Sequence, residues 1–132
     1  GPGEAFWKDF CETALKSGGD LQVFKFQTED LATVKKMADK YGILYSILPD
    51  LNKSDGMSEI LFHSQAAPRI KSIMEQIQNS KIETMDDYFA NAEPEELEKT
   101  VRDEQKKVRD AKRKGIPGNG RRDSEESGSK GK

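Results

Sequence analysis

The stretch LQVFKFQTEDLATVKKMADKYGILYSILPDLNKSDGMSEILFH, running from Leu21 to His63, decides the fold, because strand, helix, strand, hairpin and strand signals follow one another in it without a gap. Leu21 to Gln27 alternates, with Leu21 and Val23 on one face and Phe24 and Phe26 placed to line the other, which is the two-residue period of a strand. Thr28 then offers a hydroxyl oxygen to the free amides of a first helical turn, and Glu29 and Asp30 suit the positive end of a helix dipole. Leu31, Val34, Met37, Ala38 and Tyr41 share one face of that helix, and Gly42 ends it. Ile43 to Leu48 is a nearly unbroken apolar run of strand length closed by Pro49, and reads as an interior or well-covered strand. Between Leu48 and Met57 the turn formers culminate in Asp55-Gly56, and Met57 to His63 returns as a third strand.

Working outward, Phe6, Trp7, Phe10, Cys11, Ala14 and Leu15 lay an apolar stripe along an expected helix from about residue 4 to 17, closed by Gly18 and Gly19. Gly1 and Pro2 read as the remnant of a cleaved tag and are set aside. After the third strand, Ser64 is placed to cap a helix whose first turn tolerates Pro68 and whose stripe is Ile70, Ile73, Met74 and Ile77. The order is α-β-α-β-β-α. A helical crossover makes the first two strands parallel, with the third between them. The expected architecture is therefore α/β (α+β), a three-stranded mixed sheet in a ferredoxin-like half-fold that lacks its last strand. This leaves the first strand as an edge unless the N-terminal helix or a second copy covers it, so a homodimer is one of two expected ways to close it. Residues 78 to 92, with Ile82, Met85, Tyr88 and Phe89, read as a short helical or irregular segment packed on the domain.

Composition divides the chain. Nearly all large apolar residues precede Glu93, and only Leu97, Val101, Val108 and Ile116 follow. The expected organisation is a compact domain over 1–92, a charged basic helix over 93–114 beginning at Pro94, and a disordered tail over 115–132 rich in glycine, serine and charge. Glu95/Lys99, Glu98/Arg102, Asp103/Lys107 and Asp110/Lys114 stand four apart on that helix, each pair adding about 0.2–0.5 kcal/mol. The thin apolar stripe predicts a helix that projects, frays or awaits a partner.

Reactive chemistry has little to stand on. His63 is the single histidine and Cys11 the single cysteine. No ligand or base set converges on the first, and the second lies on an apolar stripe where burial is the ordinary role. Gly115 to Gly120 lacks the lysine and hydroxyl residue of a phosphate loop and follows a helix instead of preceding one. The expectation is a chain that is not an enzyme, with no catalytic residue, cofactor or metal. The lone cysteine fits a reducing interior, and no apolar run reaches the roughly 20 residues of a membrane span. Phe24, Phe26, Tyr45 and Phe62 on strands could form a platform for stacking bases, but a small sheet needs such rings inside. Tyr41 and Tyr45 are the two expected to keep a polar edge at the surface.

Charge is asymmetric. Residues 1–92 hold ten Lys/Arg against fourteen Asp/Glu, net −4, whereas 99–114 hold eight against three, net +5. Lys106, Lys107, Arg109, Lys112, Arg113 and Lys114 form the densest basic cluster and are the candidate nucleic-acid contacts, extended by Arg121 and Arg122. The ordinary reading of such a run, a solvated charged helix, carries no less weight on sequence alone.

The run Asp30 to Gln65, with Ala38-Asp-Lys-Tyr-Gly-Ile-Leu-Tyr followed by Asp55-Gly-Met, and before it Lys16-Ser-Gly-Gly-Asp-Leu-Gln-Val-Phe, resembles the PcfB-like family of small proteins encoded on Gram-positive conjugative plasmids and transposons. The likeness covers roughly residues 14 to 86. It implies a bacterial accessory protein of conjugative DNA transfer acting in the cytoplasm beside the relaxase and the coupling ATPase as protein partners; DNA as a further partner is an expectation from the basic helix, not from the resemblance. The alternative is a pure protein adaptor for the same machinery. The family pattern implies no catalytic residues, and its members often carry additional sequence ahead of this domain.

Overall fold

The computed structural model describes residues 3–5 and 20–113. Cys11, Lys114, the tail and the expected N-terminal helix beyond Ala5 lie outside the described residues; at its expected start, Glu4 forms a bridge to Tyr45 instead of a helical turn. The chain divides into two units, Gly1–Leu97 and Glu98–Lys132, taken in turn.

In the first unit, β1 spans Leu21–Gln27, α1 Leu31–Lys40, β2 Tyr45–Ile47, β3 Met57–His63, α2 Ala67–Met74, β4 Lys81–Glu83 and α3 Met85–Ala90. The four strands form one sheet in the order β2-β3-β1-β4. β3 runs antiparallel to both β1 and β2, which makes β1 and β2 parallel to each other across it, as the helical crossover requires. The sheet is larger than the three strands expected. Lys81–Glu83 pairs antiparallel with β1, with Ile82 opposite Phe24. The result is the complete β-α-β-β-α-β succession of a ferredoxin-like fold in place of a half-fold. β1 is thus an inner strand, and the open edge that would invite a second copy is occupied by β4. The ladders between these strands are all antiparallel; the parallel contact is an isolated bridge from Glu4 to Tyr45.

β2 sits at the end of the sheet, so of the two expected readings, interior or well-covered, the second holds. Its apolar run is explained by helices covering its inner face, and Ile43 and Tyr45 are buried despite the edge position. The bridge also satisfies part of that edge: Ala5 N donates to Tyr45 O at 2.8 Å and Tyr45 N donates to Gly3 O at 3.1 Å.

Side-chain alternation gives the sheet two faces. One carries Phe24, Phe26, Ile60, Phe62 and Tyr45, onto which Val34 and Ala38 of α1 and Ile70 and Ile73 of α2 pack. Burial of one such side chain contributes about 1.5–3 kcal/mol, so this cluster carries the fold. The other face carries Val23 and Leu61 under Leu48, Leu51 and Tyr88. It also holds Lys25, Glu59 and Glu83, each buried.

Helix ends follow local chemistry that differs from expectation at two positions. Thr28 opens a 3₁₀ turn, and its hydroxyl meets Ser58 Oγ at 2.8 Å instead of capping a helix. Ser64 likewise does not cap: its Oγ accepts from Asp20 N at 3.3 Å, and the His63 ring, through Nδ1, accepts from Gln65 N at 3.1 Å. Gly42 and Gly56, both at φ 66°, take the left-handed turns placed at them. Thr84 and Asp87 form a reciprocal capping box that starts α3, so the short helical or irregular segment expected over 78 to 92 is helical from Met85 to Ala90.

Candidate nucleic-acid interface

The second unit begins within the helix that Pro94 opens, α4, spanning Pro94–Arg113. Proline costs nothing at a helix start, where the amide has no partner. Glu95 and Glu96 stand at the positive end of the dipole and Lys112 and Arg113 at the negative end, each favoured there. None of the helix's residues is buried.

Among the described residues, two of the three ion pairs along it stand three residues apart instead of the expected four. Glu98 and Arg102 meet at 3.0 Å, as expected for their spacing. Lys107 pairs with Glu104 at 3.0 Å instead of Asp103, and Asp110 with Arg113 at 3.7 Å. Glu95 and Lys99 make no pair within 4.0 Å among the described residues. All of these are exposed pairs worth about 0.3–0.5 kcal/mol each.

Of the six candidate contacts, Lys106, Lys107, Arg109, Lys112 and Arg113 are exposed on this helix, and Lys114 lies outside the described residues. They do not share one face. At 3.6 residues per turn, Lys106, Arg109 and Arg113 align, whereas Lys107 and Lys112 turn to other sides. Two further cations complete the alignment. Lys99, Arg102, Lys106, Arg109 and Arg113 stand alternately three and four residues apart, which sets them in one stripe roughly 80° wide and about 21 Å long. Lys99 and Arg102 were missed because local charge density points to residues 106–114; the three-four spacing of the cations was the signal available. Val101 and Val108, about half exposed, lie on a separate face.

The sheet offers no stacking platform through its strand aromatics. Phe24, Phe26, Tyr45 and Phe62 are at most 1% exposed. Tyr45 therefore keeps no polar edge at the surface, and burial, with Glu4 and Asp39 nearby, pushes its hydroxyl up to about 12. Tyr41 remains half-buried and receives a hydrogen bond from Gln76 Nε2 at 3.0 Å. Among the described residues no group of three or more His, Cys, Asp or Glu is arranged to hold a metal ion. No described helix is long and apolar enough to cross a membrane.

Fold and surface together define a small ferredoxin-like α+β protein continued by an exposed helix with a cationic stripe. The chain belongs to the protein family of unknown function DUF3801, whose model matches residues 12–117. No curated protein and no solved structure matches it.

Proposed function

We propose that this protein is a non-enzymatic accessory factor of conjugative DNA transfer in the bacterial cytoplasm, contacting relaxosome or coupling proteins and touching DNA through α4. The observation that carries the DNA contact is the exposed stripe Lys99, Arg102, Lys106, Arg109 and Arg113 on a helix with no buried residue. Five cations along one line match the backbone of a duplex and read no base, so the contact is independent of sequence. The resemblance to the PcfB-like family supplies the setting, with the relaxase and the coupling ATPase as the protein partners.

The test is binding to a duplex fragment across a salt series. Five neutralised phosphates give a log-log slope of about −4.5, or roughly a 500-fold loss of affinity from about 50 to 200 mM salt. K106E/R109E abolishes the interaction, while K107E/K112E, equal in charge but off the stripe, retains most of it. Equal losses in the two variants, or no binding at low salt, remove the DNA contact.

The adaptor reading has one observation of its own. Val101 and Val108, 47% and 54% exposed, present apolar surface on the same helix. V101D/V108D abolishing capture of the relaxase or coupling ATPase, with DNA binding absent throughout, favours that version.

A further inference from the structure

On the sheet face turned away from α1 and α2, Lys25 of β1 stands directly opposite Glu59 of β3, and Glu83 of β4 stands opposite Val23, one step along the same face. Asp55 enters from the turn ahead of β3. Lys25 Nζ is 3.2 Å from Asp55 Oδ2 and 3.9 Å from Glu59 Oε2. Glu83 has no such support. Both of its carboxylate oxygens are buried without a hydrogen-bond partner, and the cation within reach, the exposed Lys81 ammonium, stands 4.0 Å away.

The cluster is closed from above. Leu48 and Leu51 of the loop and Tyr88 of α3 cover this face, and Tyr88 Oη donates to Pro49 O at 2.6 Å. One ammonium of the sheet therefore faces the carboxylates of Asp55, Glu59 and Glu83, with Asp50 of the loop adding negative charge and Lys81 contributing from the rim. Burial of carboxylates around a single ammonium disfavours their charged form, and the site is relieved when one of them binds a proton.

We propose that Lys25, Asp55, Glu59 and Glu83 form a proton-binding site inside the domain, in which Glu59 carries the proton while the cover is closed, and that release of this proton loosens the loop 48–56 and α3. Glu59 is the member on which burial acts most clearly, raising its carboxyl to about 7, with Asp55, Glu83 and Asp50 adding and Lys25 opposing. The cover also holds the chain entering α4. Glu93 N donates to Leu51 O at 2.6 Å, Lys53 N donates to Glu93 Oε1 at 2.8 Å, and Lys53 Nζ meets Glu96 at 3.9 Å. Loss of the proton thus frees the first turn of that helix along with the loop.

The experiment follows side-chain carboxyl carbons and amide hydrogen exchange by NMR on the full chain between about pH 5 and 8. One glutamate carboxyl titrates near neutrality, and the opening equilibrium at the Lys53 and Glu93 amides, corrected for intrinsic exchange, rises about tenfold from pH 6 to 8. Glu59→Gln removes both effects. If that variant does not fold, Glu83→Gln, which removes one of the charges that raise Glu59, shifts the glutamate titration and the onset of opening to lower pH, and the wild-type titration stands without either. Carboxyls that all titrate below about pH 5.5, or opening that does not change with pH, overturn the proposal.

Discussion

Tyr88 shows how one side chain ties the second sheet face to its loop. Its ring is buried over Val23 and Leu61 while its hydroxyl reaches Pro49 O, so the two parts of the residue can be removed separately. Tyr88→Phe is expected to cost about 0.5–1.5 kcal/mol, the net worth of one hydrogen bond. Tyr88→Ala costs about 3–5 kcal/mol through the cavity. Urea unfolding of the two variants reads the difference, and equal losses would mean that the hydroxyl accounts for the whole effect. Gly56 is simpler. A Cβ there meets nothing within 4 Å, so Gly56→Ala bears the cost of the left-handed backbone alone, about 1–2 kcal/mol. That role was legible from Asp55-Gly56 before a strand. The cap formed by His63 was not, because Ser64 is the better capping residue by type and only the path of the chain from Asp20 occupies its hydroxyl. The pairing of Lys25 with Asp55 was equally hidden: a lysine within a strand gives no sign of which carboxylates will fold over it.

Among the elements, β1 and α1 were readable to within a few residues because each carries a clear period, and β3 because the Asp55-Gly56 turn sends the chain back into a short apolar run. β4 was not, since Lys-Ile-Glu presents one apolar residue and takes its strand form from the pairing of Ile82 with Phe24. The helix after β4 depends on its cap. Thr84 Oγ1 accepts from Asp87 N at 3.0 Å and Asp87 Oδ2 accepts from Thr84 N at 3.2 Å, so the six residues of α3 are held by two reciprocal bonds. Thr84→Ala is expected to destabilise the protein by about 1 kcal/mol and to raise hydrogen exchange in α3 before elsewhere. Uniform exchange would assign the loss to global unfolding instead. For α4, the existence of the helix and its charge were evident in the sequence, while the stripe emerges from the spacing of the cations around the helix axis.

At the scale of the whole molecule, buried ionisable groups give the stability a shape in pH that surface charge does not. Glu59 has its folded carboxyl raised from 4.5 to about 7, so the folded state binds more protons than the unfolded chain in that interval, and stability falls as pH rises through it. The loss reaches about 3 kcal/mol if the full shift is expressed. This is a large part of the roughly 5–15 kcal/mol that holds a domain folded. For Lys25, burial pulls the ammonium down, but Asp55, Glu83 and Glu59 outweigh it and the net direction is upward from 10.5. Its contribution is therefore complete throughout the neutral range and declines only above that value. Tyr45, raised from 10.0 to about 12, and Tyr88, raised further by burial, add losses that also begin above pH 10. The expected profile from about pH 4.5 upward is a decline to about pH 7, a plateau to about 10, and a second decline beyond it. Thermal unfolding of wild type and Glu59→Gln across this range checks the assignment, because the variant should lose the first decline and keep the second. A first decline that survives the substitution would place the titrating group elsewhere in the fold.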